Sequence, residues 1–72
     1  MPIHPKKLLL SKWTAVAPVN RETHFLVIAV CIPEDPMAPL EWIDLEALYT
    51  KRVQRIQWWV LNDQRQWRQG WQ

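Results

Sequence analysis

Trp42-Ile43-Asp44-Leu45-Glu46-Ala47-Leu48-Tyr49 and Val53-Gln54-Arg55-Ile56-Gln57-Trp58-Trp59-Val60-Leu61 are the two stretches that decide the fold. In the first, Ile43, Leu45, Ala47 and Tyr49 share one parity, and Trp42, Asp44, Glu46 and Leu48 the other. In the second, Ile56, Trp58 and Val60 are set against Arg55, Gln57 and Trp59. Successive side chains of a strand point to opposite faces, so each stretch reads as a half-buried strand. Lys51-Arg52 lies between them as the turn of a β-hairpin. With Thr50 opposite Val53, Ala47 faces Ile56, Leu45 faces Trp58 and Ile43 faces Val60, three apolar pairs on one side. A slip of one residue sets Leu45 against Gln57 and Ala47 against Arg55, and the first register is preferred. Asn-Gly or Asp-Gly, the mark of a two-residue turn, is missing, which points to a four-residue loop from Thr50 to Val53.

Working outward from the hairpin, His24 to Ile32 is a nearly continuous apolar run of strand length, rich in β-branched residues and stopped by Pro33. It reads as a strand covered on both faces. The segment Pro33 to Pro39, with three Pro, Glu34 and Asp35, is a stiff loop. Leu8 to Ala17 reads as a first strand ending at Pro18, and Val19 to Thr23, with Asn20, as a loop. Pro2 and Pro5 make residues 1–7 an extended tail. Downstream, Asn62 or Asp63 is an N-cap type and Gly70 a C′ type, enclosing one helical turn. In such a turn Trp67 and Trp71, four apart, cap the sheet together. The expectation is one all-β domain over residues 1–72. Its architecture is a small antiparallel sheet or SH3-like barrel of four to five strands, with a short C-terminal helical turn.

Several strings carry a family resemblance. They are Pro5-Lys6-Lys7-Leu8-Leu9-Leu10-Ser11-Lys12-Trp13-Thr14-Ala15-Val16, His24-Phe25-Leu26-Val27, Leu45-Glu46-Ala47 and Thr50-Lys51-Arg52, followed by Trp58 or Trp59, Leu61, Asp63, Trp67, Gly70 and Trp71. With these the chain resembles a family of short, tryptophan-rich conserved hypothetical proteins of bacteria, a domain of unknown function. The resemblance implies a whole protein and supplies no activity, cofactor or catalytic residue. The Pro33–Pro39 loop departs from it, since a less constrained connection is expected there.

Composition closes off several functions. Seventy-two residues allow one domain, and no stretch approaches the ~18 apolar residues of a membrane span, so no membrane partner is expected. The three-Leu run near the start is too short for a signal peptide. With one Cys and no export signal, a reducing cytoplasm is the expected compartment. Cys31 sits inside the apolar run as a small hydrophobe, and His4 and His24 are scattered, so neither a nucleophile–base pair nor a zinc site is assembled. Asp44 and Glu46 share a face, which reads as a solvated sheet surface rather than an acid–base pair. A single Gly leaves no phosphate-binding loop. No catalysis, cofactor or metal is expected.

Binding is the remaining class. Residues 1–21 carry a net charge of +4, residues 22–49 carry −6 and residues 50–72 carry +4. Six Trp must be placed, and each buries ~150–250 Å² when packed, so most serve the core. Adjacent strand residues face opposite ways, so an inward Trp58 turns Trp59 outward beside Arg55, with Trp42 outward on the neighbouring strand. Trp59, Trp42, Arg55, Lys51, Arg52, Arg65 and Arg68 are the candidate binding residues. Arg and Lys interleaved with Trp suit RNA or single-stranded DNA, cations on the backbone and indoles under the bases. A Trp-lined groove for a peptide or partner protein is the alternative, and paired exposed indoles also suit a homodimer.

Overall fold

The structure is a computed structural model that describes residues 3–72. Five strands, β1 (Lys12–Val19), β2 (Glu22–Val30), β3 (Trp42–Ala47), β4 (Val53–Gln57) and β5 (Trp67–Gln69), form one sheet. Their order is β4-β3-β2-β1-β5, and every neighbouring pair is antiparallel. The all-β expectation holds, and of its two forms the open antiparallel sheet is the one seen, with β4 and β5 as edges. Short 3₁₀ turns at Pro5–Lys7 and Trp58–Asn62 complete the fold.

The apolar run becomes β2, the central strand. Phe25 and Val27 point into the core; a register break between Val27 and Ala29 then brings Val30 opposite Ile43. An extra residue in one strand switches the face of all that follow, which is how Val30 joins the core. The β1–β2 connection is tighter than a five-residue loop. Asn20 and Arg21 both take left-handed backbone angles (φ 56° and 62°), as a two-residue hairpin turn requires.

The β3–β4 hairpin forms, but not in the expected register. Ile43 faces Ile56 rather than Val60, and Leu45 faces Gln54 rather than Trp58. The turn is centred two residues earlier than Lys51-Arg52: Ala47 N–H donates to Arg52 O (2.9 Å), and Lys51, with φ 64°, donates to Ala47 O (2.8 Å). The displacement of four residues is even, so Ile56 stays on the inner face and parity alone does not expose the error. The turn is drawn to this place by the neighbouring hairpin, where buried Glu22 takes hydrogen bonds from both Thr50 and Arg52.

Trp58 and Trp59 are not in a strand. They open the 3₁₀ turn Trp58–Asn62, so the expectation that they lie on opposite faces of β4 is corrected. With three residues per turn, Trp58 and Leu61 fall on the same side. Leu61 is fully buried, Trp58 packs against the core, and Trp59 is left outside. Trp58 is fixed by its backbone N–H to Glu41 O (2.9 Å) and its Nε1–H to Leu40 O (2.9 Å).

The C-terminal helical turn is also corrected, since residues 67–69 add a fifth strand beside β1 and the helical turn lies earlier in the chain. Residues 3–7 are not an extended tail. Ile3 is buried and Pro5–Lys7 curl into a 3₁₀ turn, while Met1 and Pro2 lie outside the described residues. The core is the inner sheet face, Trp13, Phe25, Val27, Ile43, Leu45 and Ala47, closed by Leu61 and by Ile3 and Leu8. Trp67 packs edge-on to Phe25, centroids 5.0 Å apart.

Candidate functional site

The seven residues nominated from sequence do not form one surface. Trp42 starts β3 and is 42 % exposed, and Trp59 is 45 % exposed in the 3₁₀ turn after β4, so both indoles do face water. Lys51 and Arg52 sit at the other end of the hairpin, five strand positions from Trp42, or about 17 Å at ~3.3 Å per residue. The site drawn around both groups is therefore split.

Three of the five nominated cations are already engaged. Arg52 makes a two-pronged pair with Glu22, with Nε on one carboxylate oxygen (3.0 Å) and an Nη on the other. Together with the Thr50 hydroxyl, this holds the Glu22 carboxyl down at about 2, from an ordinary 4.5. Arg55 Nε donates to Asp44 Oδ1 (2.9 Å) across β3 and β4, which lowers the Asp44 carboxyl and raises the Arg55 guanidinium. Arg65 Nε donates to Asp63 Oδ1 (3.2 Å), depressing that carboxyl too. Lys51 and Arg68 are exposed and have no carboxylate partner among the described residues.

Arg68 leads to a surface that sequence reasoning missed. It lies opposite Thr14, on the sheet face away from the core, since Trp67 just before it and Trp13 just before Thr14 point inward. Gly70, at φ 87°, breaks the strand period and sends the last residues across this outer face. Gly70 N–H donates to Lys12 O (2.7 Å), the Thr14 hydroxyl donates to Gly70 O (2.7 Å), and Gln72 N–H donates to Thr14 Oγ1 (3.0 Å). His24 Nε2 lies 2.9 Å from Gln72 O; a carbonyl only accepts, so this nitrogen carries the proton.

Trp71 is thereby laid on the outer face, 44 % exposed, its Nε1–H bonded to Phe25 O (3.0 Å). The Lys12 ammonium stands 4.8 Å from its ring centroid, a cation–π contact. Trp67 and Trp71 thus serve opposite faces and do not cap the sheet together as expected. Along the β5 edge runs a groove of about 470 Å³ lined by Trp13, Leu61, Asn62, Gln64, Trp67, Arg68, Gln69 and Gln72. The signal that points to this surface is the parity of Lys12 and Thr14 against buried Trp13, with Gly70 free to turn the chain.

Among the described residues no helix is long and apolar enough to cross a membrane. No curated protein and no solved structure matches the chain. The model of one protein family, described as "Tryptophan-rich protein (DUF2389)", matches residues 11–72, and the chain belongs to that family of unknown function.

Proposed function

We propose that the protein is a small, non-catalytic binding module of the cytoplasm, taking single-stranded nucleic acid on the outer face of β1, β2 and β5. The observation that carries this reading is Trp71, exposed, with the Lys12 ammonium over its ring and unpaired Arg68 on the adjoining strand. An indole gives any base a stacking surface, and flanking cations take the phosphates. The groove along the β5 edge, which Arg68 also lines, carries side-chain amides, the groups that bond base edges.

The test is titration of labelled oligo-U and oligo-dT by the protein at several salt concentrations. Two phosphate contacts, from Lys12 and Arg68, give a log–log slope of about −1.4, or about a sevenfold loss when salt rises fourfold. Trp71→Ala weakens binding about five- to 150-fold through lost stacking, and Arg68→Gln flattens the slope by about 0.7. Tight binding indifferent to salt, or to Trp71→Ala, refutes the reading.

A second reading has its own observation. Exposed Trp42 follows Glu41, and Arg55 on the facing strand is taken up by Asp44, so that guanidinium is not free to draw phosphate. That end of the sheet suits a protein surface, a partner or a second copy, with Trp42 and Trp59 as anchors. Trp42→Ala with Trp59→Ala then leaves oligonucleotide binding intact and abolishes capture of the partner or self-association in sedimentation.

A further inference from the structure

A four-residue turn, Leu8 to Ser11, is closed by Ser11 N–H donating to Leu8 O (3.0 Å), and Leu9 and Leu10 are its corners. Leu10 has φ 64°. The third position of a turn with positive φ belongs by sterics to Gly or Asn, and a branched side chain there is strained. Packing does not explain the strain, because Leu10 is 63 % exposed and Leu9 56 %. Gly would relax the backbone and remove an apolar group from water at once. A strained leucine with its side chain in solvent is the outlier from which a use for that side chain is argued.

The turn is rigidly presented. Leu8 is fully buried beneath it, Leu10 N–H donates to Val27 O (2.8 Å), and Val27 N–H donates to Ser11 O (3.0 Å). Ile28, the next residue along β2, is exposed as well. The charged residues next to this tip in sequence are cations, Lys6 and Lys7 in the preceding 3₁₀ turn and Lys12 after it, all exposed, with no acid anywhere in residues 1–21. Exposed leucines flanked by lysines are the complement of one surface, hydrocarbon beneath a layer of negative headgroups.

We propose that the Leu9–Leu10 turn docks the protein on an anionic lipid bilayer, the leucines entering the interface and Lys6, Lys7 and Lys12 contacting the headgroups. The expectation of no membrane partner rested on the want of a spanning stretch, which does not bear on a surface contact of this kind. Docking is weak and reversible, since two leucines and three lysines fall short of a stable anchor.

Co-sedimentation with vesicles tests it. The full chain is mixed at low salt with vesicles of phosphatidylcholine alone and of phosphatidylcholine with phosphatidylglycerol. Binding to the mixed vesicles only is expected, reduced about fivefold for each of Lys6→Gln and Lys7→Gln. Leu10→Gly keeps every charge and relieves the turn. Its thermal midpoint should stay level or rise, while vesicle binding falls about tenfold or more. Equal binding by Leu10→Gly and the parent overturns the proposal, because attraction then comes from charge alone. So does equal binding to the two kinds of vesicle, or binding to neither. Oligonucleotide affinity of Leu10→Gly, unchanged, separates this turn from the outer face of the sheet.

Discussion

Leu61→Ala strikes the residue that closes the inner face of the sheet. Leu61 is fully buried in the Trp58–Asn62 turn, facing the same core as Ile43, Leu45 and Val27. Truncating a leucine so enclosed costs about 3–5 kcal/mol, the transfer of its methyl groups and the cavity left together. Unfolding entropy of ~2.1 cal/mol/K per residue over 72 residues gives about 0.15 kcal/mol/K, so the melting temperature falls by about 20 °C or more. A chain of this length has a total stability of only ~4–11 kcal/mol, so the variant loses a large share of it. Circular dichroism melting, with urea titration at 25 °C, is the assay. Val60→Ala, one residue away and only half-buried, is the control and must cost clearly less. A fall of under about 7 °C for Leu61→Ala, equivalent to ~1 kcal/mol, would show that the turn does not close the core and would refute the packing described.

Two further perturbations test the outer parts of the fold. Glu22 has its folded value depressed from 4.5 to about 2, so its contribution is full above pH 4.5 and disappears as pH falls through that window. Urea midpoints should therefore drop between pH 4.5 and 2, and Glu22→Gln should be less stable at neutral pH with a shallower drop; an unaltered profile contradicts the clamp between the two hairpin turns. Gly70→Ala meets no atom within 4 Å, so its cost is backbone strain at φ 87°, about 1–2 kcal/mol. It should also weaken oligonucleotide binding by misplacing Trp71, and a melting curve with a parallel titration reads both effects.

What the sequence shows of the fold, and where it stops, follows from periodicity. Period two is unambiguous in Trp42–Ala47, while length, β-branched content and Pro33 mark the run that becomes β2, and both strands are found there. It cannot distinguish registers that differ by an even number, so Ile56 faces inward in both the expected and the observed pairing of β3 and β4. Residues 58–61 satisfy two periods at once: as a strand Trp58 and Val60 share a face, as a 3₁₀ turn Trp58 and Leu61 do. The second is realised because Trp58 is bonded to Leu40 and Glu41 and Leu61 fills the core. Of the nominated cations, Lys51 and Arg68 have no carboxylate partner among the described residues, while Arg52 and Arg55 are bound to Glu22 and Asp44, residues far along the chain that meet them only once the strands pair. Regular strand and helix geometry both set Trp71 beside Trp67, and only the left-handed backbone of Gly70 turns it to the other face.

Amide and indole N–H shifts of the ¹⁵N-labelled protein, followed as a short oligo-U is added at low salt, test the outer-face reading most directly. The largest changes should fall on the Trp71 indole, with Lys12, Thr14, His24 and Arg68 around it, while the indoles of Trp42 and Trp59 stay still. Changes confined to Trp42 and Trp59, or none at saturating oligonucleotide, would contradict it.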